Sequence, residues 1–108
     1  MPSYAPHRLF VKRVTEARDD YNRVSKTEAS WEFVGECRCD DNTVRIVSTE
    51  NSLEYVPRYH IVTARTDAIA NGDIVRVLNA DGTLRGEGKA DAVRVLNYLN
   101  YTDLYAGV

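Results

Sequence analysis

The sequence predicts an all-β fold: a small antiparallel β-barrel of about six to seven strands, with a mobile N-terminal arm and long polar loops. Three observations predict it. Short runs rich in β-branched and aromatic residues recur along the chain, several with period-two alternation. Turn signals separate them, among them Asp40-Asp41-Asn42, Ala70-Asn71-Gly72 and Ala80-Asp81-Gly82. At 108 residues the chain has room for one core and one domain. Residues 1–7, with Pro2 and Pro6, read as the arm, and residues 8–108 as the barrel.

The first strand is RLFVKRVT (8–15), followed by the polar segment EARDDYNRVS (16–25), whose Asp19, Asp20 and Asn22 mark a turn or loop. SWEFVGECRC (30–39) is the strongest strand. Its alternation puts Trp31, Phe33, Cys37 and Cys39 on a core face and Glu32, Glu36 and Arg38 on a wet one. Gly35 interrupts the apolar face, as glycines do at bulges and barrel bends. TVRIVS (43–48) is a further strand, TENSLEYVP (49–57) a loop ending in Pro57, and RYHIVTART (58–66) an alternating strand. DIVRVLN (73–79) and TLRGEGK (83–89) flank Asp81-Gly82 as a hairpin, with Gly86 and Gly88 permitting close packing or a kink. Residues 90–105 fit a helix through Val93 and Leu96 or a strand through Val93, Val95 and Leu99; β-branched content and the repeated Asn favour the strand. Trp31, Phe33, Ile61, Ile74 and Val75 are the expected core.

The net charge of −2 supplies no basic field for nucleic acid. Eleven of the 14 basic residues are Arg, and there are seven Tyr; both types are favoured at protein interfaces, where Lys is depleted. The opening MPSYAPHRLF has neither the charged nor the apolar region of a signal peptide, and no run approaches the roughly 18 apolar residues of a membrane span. The expectation is a soluble protein made in a cytoplasm.

No cofactor, metal or small-molecule substrate is expected, and no enzymatic activity. Cys37-x-Cys39 is half of a zinc pattern, with His7 and His60 far away in sequence, and two such cysteines suit neither zinc nor a mutual disulfide. His60 has no nucleophile placed near it by any motif, the carboxylate pairs Asp19-Asp20 and Asp40-Asp41 lie in turns, and GTLRGEG lacks the Lys-Ser/Thr of a phosphate loop. Tyr55, Arg58 and Tyr59 form an aromatic-basic cluster of the type that binds single strands, but acidic residues interleave with the arginines.

The order of features resembles the head-closure, or head–tail adaptor ("stopper"), proteins of tailed bacteriophages. The matching places are Arg8, Leu9, Val11 and Asp20 in the opening strand and loop, Trp31 and Val34 in the second strand, and Gly72, Asp73, Val75 and Gly82 before the closing hairpin, across roughly residues 7–105. Asn22 departs from the family's glycine in the first loop, and segment 49–57 lacks a helix-like insertion. The resemblance implies a structural virion protein of the phage neck, assembled in a bacterial cytoplasm. It implies a ring of six or twelve copies under a portal or adaptor protein, docking a tail protein and helping to retain packaged double-stranded DNA. On this reading Arg18, Asp19, Asp20 and Arg23 in the first loop, and Glu50, Glu54 and Arg58 in 49–58, contact neighbouring subunits or the DNA channel. A tail-completion protein, another small accessory protein and a stand-alone barrel that binds single-stranded nucleic acid are the rival readings.

Overall fold

Alternating strands with one apolar side bury that side most completely by curling into a closed sheet, which also removes the sheet's edges. The computed structural model, which describes residues 5–18 and 20–107, takes this route. Its eight strands are β1 (His7–Arg18), β2 (Val24–Asp41), β3 (Ile46–Val47), β4 (Glu54–Tyr55), β5 (Tyr59–Ala64), β6 (Ile74–Leu78), β7 (Leu84–Leu96) and β8 (Tyr101–Ala106). Six close a barrel in the order β1-β2-β5-β8-β7-β6, every pair antiparallel, and β3 and β4 form a separate two-stranded sheet. The all-β barrel expected from the sequence is therefore the fold.

Side chains fill the interior, as expected of so narrow a barrel. Leu9, Val11, Cys37, Cys39, Ile61, Val75, Val77, Ala90, Leu104 and Ala106 are buried there with Ile69. Two buried hydroxyls in this interior are satisfied: Thr63 Oγ1 donates to Glu36 O at 2.8 Å, and Thr102 Oγ1 donates to Thr66 O at 3.1 Å.

Glycine sets the tightest approaches. A Cβ on Gly88 would stand 2.5 Å from the backbone nitrogen of Gly107, and one on Gly86 2.7 Å from the Tyr59 ring. These two residues let β7 press inward where it leaves β6 and joins β8, the close packing expected of them.

Several boundaries move. β1 and β2 extend through most of 16–25, so the expected loop shrinks to the turn around 20–23; residues projecting on both faces into solvent carry no hydrophobic alternation to announce a strand. In that turn Asn22 adopts the left-handed conformation, φ 61°, which Asn tolerates better than other non-glycine residues. The expected strand 43–48 reduces to β3, and the expected loop 49–57 contains β4. His7, expected to be outside the strands, belongs to β1, and its Nδ1 accepts from Cys39 N at 3.1 Å. Residues 90–105 are strands β7 and β8 joined by the turn 97–100. A bulge between Asp91 and Arg94, with Ala92 at φ 49°, shifts the alternation there and explains the ambiguous period.

The main correction concerns the core. Leu9 pairs with Gly35 but Phe10 with Phe33, so Val34 is the extra residue of a bulge beside Gly35. The bulge inverts the faces of everything before it. Cys37 and Cys39 point inward, whereas Phe33 is 53% exposed and Trp31 only half-buried on the outer wall. Val34 packs against the core instead, and Ile74 is also only half-buried; Ile61 and Val75 are core as expected.

Candidate interaction surfaces

Two structures project from the barrel. The first is a ribbon: β1 pairs with β6 only over Arg8–Val11, and β2 with β5 only over Cys37–Asp41. Beyond those residues no third strand pairs with them among the described residues, and they run on in constant register from Val11/Glu32 to Ala17/Lys26. Alternation gives the ribbon two faces. One face, continuous with the outer wall, carries Phe10, Lys12, Val14, Ala29, Trp31 and Phe33; the other carries Arg13, Thr15, Glu28, Ser30 and Glu32.

Cross-strand pairs hold the base of the ribbon. The Phe10 and Phe33 rings are 5.4 Å apart and tilted by 58°, and the Arg76 guanidinium lies 4.0 Å from the Trp31 ring centroid. On the opposite face Arg13 Nε donates to Glu32 Oε2 at 2.9 Å, and its NH2 donates to Ala68 O at 2.6 Å. Arg13 thus ties the ribbon to the β5–β6 connection.

The second structure is the excursion 42–58, which leaves the opposite end of the barrel and folds β3 and β4 against the outside of β7. Asp91 is its anchor. The side chain lies on the outer face of β7, yet Asp91 is only 7% exposed because the excursion covers it. Its Oδ1 accepts from Thr49 N at 3.2 Å and Thr49 Oγ1 at 2.7 Å, and its Oδ2 accepts from the Tyr55 hydroxyl at 2.8 Å. Burial raises the carboxyl pKa, but the donors from Thr49, Tyr55 and Ala92 N outweigh it and bring it down to about 2. Burial and the same carboxylate push the Tyr55 hydroxyl up to about 12. Between the excursion and the wall runs a recess of about 710 Å³, lined among others by Glu50, Leu53, Glu54, Tyr55, Lys89 and Asp91.

A second buried carboxylate braces the wall beside it. Asp103 receives Arg94 Nε at 3.0 Å on Oδ1 and Arg94 NH2 at 2.6 Å on Oδ2, and His60 Nε2 stands 3.2 Å from Oδ2. Burial raises its pKa, but Arg94 and His60 more than compensate and hold it below the ordinary carboxylate range. Tyr105 stacks on the His60 ring at 4.6 Å. Cys37 and Cys39 are buried free thiols, pushed up to about 12 and about 11 mainly by burial. Among the described residues no group of three His, Cys, Asp or Glu is arranged to hold a metal ion.

The residues singled out from the sequence fall into two separate groups. Asp20 and Arg23 lie at the ribbon tip, with the Arg23 guanidinium 5.2 Å from the Tyr21 ring centroid. Arg18 ends β1, with its side chain outside the described residues, as is Asp19 altogether. Glu50, paired with Lys89 Nζ at 3.0 Å, and Glu54, facing Arg45 NH1 at 3.4 Å, line the recess. Arg58 borders a smaller recess of about 420 Å³ with Asp41 and Asn42, its guanidinium 5.8 Å from the Tyr59 ring. The aromatic-basic cluster does not assemble as a stacking platform: Tyr55 is bonded to Asp91, and Tyr59 carries Arg85 as well as Arg58.

Sequence reasoning missed Asp91, Asp103 and Arg94. Their signal was present, since ADAVRV and TDLYA each set an Asp inside a run of strand-forming residues, where an acid needs a partner. It also missed the outward Phe10–Phe33–Trp31 row, for which the Gly35 bulge was the clue. No protein-family model, curated protein or solved structure matches this chain.

Proposed function

We propose that this chain is a non-enzymatic assembly subunit, and that the assembly is the head-closure or head–tail joining ring of a tailed bacteriophage. One observation carries the assembly reading: among the described residues, seven of the ten exposed large apolar side chains lie on the two projecting structures, with Leu84, Tyr98 and Leu99 elsewhere. Val14 (57%), Tyr21 (80%) and Phe33 (53%) lie on the ribbon, and Val44, Val47, Leu53 and Val56 on the excursion. Clustered exposure of this type marks protein-binding surfaces, and two different surfaces are what head-to-tail association in a closed ring requires. The resemblance of the opening strand, the Trp31 strand and the Gly72–Val75 segment to phage neck proteins supplies the identity of the ring. Since the barrel is filled, a DNA passage in such a ring runs between subunits. Portal, adaptor and tail proteins are the other partners on this reading.

The test is native mass spectrometry and electron microscopy at high protein concentration, with and without a tailed-phage portal complex. Rings of six or twelve copies, or attachment to the portal, are expected. A chain that stays monomeric with the portal present, and binds oligonucleotides with a steep salt dependence, overturns the proposal in favour of a single-strand-binding barrel.

A further inference from the structure

A two-stranded ribbon in water is marginal by itself, and its outer edges present rows of backbone donors and acceptors. The barrel closes β1 against β6 and β2 against β5 at their base, yet leaves the far halves of both strands with an open outer edge. Beyond Val11 on β1 and before Cys37 on β2, no third strand lies alongside among the described residues. At a rise of about 3.3 Å per residue the projection is roughly 20 Å long, the length of a common strand.

Resting on the assembly reading above, we propose that the ribbons of neighbouring copies pair edge to edge, β2 of one copy against β1 of the next. The occupant of each edge is thus a second copy of this chain. Three features argue for it. Because β1 and β2 are antiparallel, a succession of β1, β2, β1 and β2 from consecutive copies stays antiparallel throughout, and it closes wherever the ring closes.

Second, the faces match. Edge groups alternate along a strand, so the groups that point away from the internal partner belong to the residues between those that point toward it. Pairing these outward groups gives a register differing from the internal one by an even number of residues. Every outer-face residue then still meets an outer-face residue.

Third, the side chains brought together are ones the chain already pairs internally. Glu28 and Glu32 on the β2 edge come beside the neighbour's Arg13, repeating the Arg13–Glu32 pair. Trp31 and Ala29 come beside the neighbour's Lys12 and Val14, joining aromatic, aliphatic and cationic groups as at the ribbon base. Opposite charges and apolar pairs across strands each add stability, so the pairing is favoured residue by residue.

Mixed cysteine cross-linking tests this. Val14→Cys and Ala29→Cys sit at facing outer positions of the two edges, and Thr27→Cys samples the register two residues away. The native thiols do not interfere, being buried. Mixing Val14→Cys chains with Ala29→Cys or Thr27→Cys chains and oxidising should give a mixed disulfide dimer that no variant forms alone. Wild-type protein at the same concentration is examined by native mass spectrometry in parallel. Oligomers without any mixed disulfide overturn edge pairing and leave the assembly reading standing. A disulfide formed by Val14→Cys alone overturns the head-to-tail arrangement in favour of a two-fold one. A monomer with no cross-link even when a portal complex is present overturns both.

Discussion

Removing the Asp91 carboxylate should release the excursion from the barrel. The carboxyl sits at about 2 in the folded chain against an ordinary 3.8. At ~1.4 kcal/mol for each tenfold change, this differential corresponds to roughly 2–3 kcal/mol of stability at neutral pH. The hydrogen-bond count gives a similar size. Asp91→Ala loses acceptors for the Thr49 amide, the Thr49 hydroxyl and the Tyr55 hydroxyl, each worth on the order of 1 kcal/mol net where water can partly replace them. Because the folded pKa is depressed, the contribution is complete above the unfolded value near 3.8. It falls away as pH drops through the folded value near 2. Urea unfolding at pH 7 should therefore show Asp91→Ala less stable by about 2–3 kcal/mol, and its stability should lose less than wild type's between pH 5 and pH 2. Hydrogen exchange at the Thr49 and Ser48 amides should accelerate well beyond the barrel average, since Ser48 N donates to Leu53 O at 2.9 Å within the same excursion. An Asp91→Ala protein with wild-type stability and unchanged exchange at Thr49 would refute the anchoring argument.

Other substitutions probe separate parts of the fold. Gly88→Ala places a methyl against the Gly107 backbone, which has no flexible end to move aside, and should cost about 1–3 kcal/mol by thermal or urea unfolding. Asn22→Ala should destabilise by about 1 kcal/mol because of the positive φ, whereas Asn22→Gly should be neutral within a few tenths; paired urea titrations check both. Phe33→Ser should leave stability within about 1 kcal/mol of wild type, because the ring is half in solvent, yet reduce self-association in sedimentation velocity. Asp103→Asn breaks the two-pronged Arg94 contact and should cost about 1–2 kcal/mol, with the exposed Arg94 returning to water.

What the sequence made legible follows from which residues face a buried interior. Ile61, Val75, Cys37 and Cys39 announced themselves because each alternates with a wet neighbour inside the barrel. The ribbon halves of β1 and β2 have solvent on both faces, so Glu16 read as loop although it is strand. Trp31 and Phe33 were assigned to the wrong face by one extra residue, Val34. Period-two reasoning has no tolerance for an insertion of one, and Gly35 marked the break without saying which side of it stayed inside. The candidate residues divided for a different reason: strand pairing, which brings Glu50 toward Lys89 and carries Asp20 and Arg23 to the opposite end, is not encoded in local pattern. Asp91 belongs to the same class, since its partners Thr49 and Tyr55 lie about forty residues away and are joined to it only by the folded excursion.

The central claim is that the two projecting structures exist to be covered by other protein. Sedimentation velocity across a wide concentration range tests it most directly, comparing wild type with Phe33→Ser on the ribbon and Leu53→Ser on the excursion. The account predicts that wild type forms larger closed species as concentration rises or on adding a portal complex, and that either substitution alone abolishes this while unfolding remains normal. Identical behaviour of all three proteins, alone and with the portal, would contradict it.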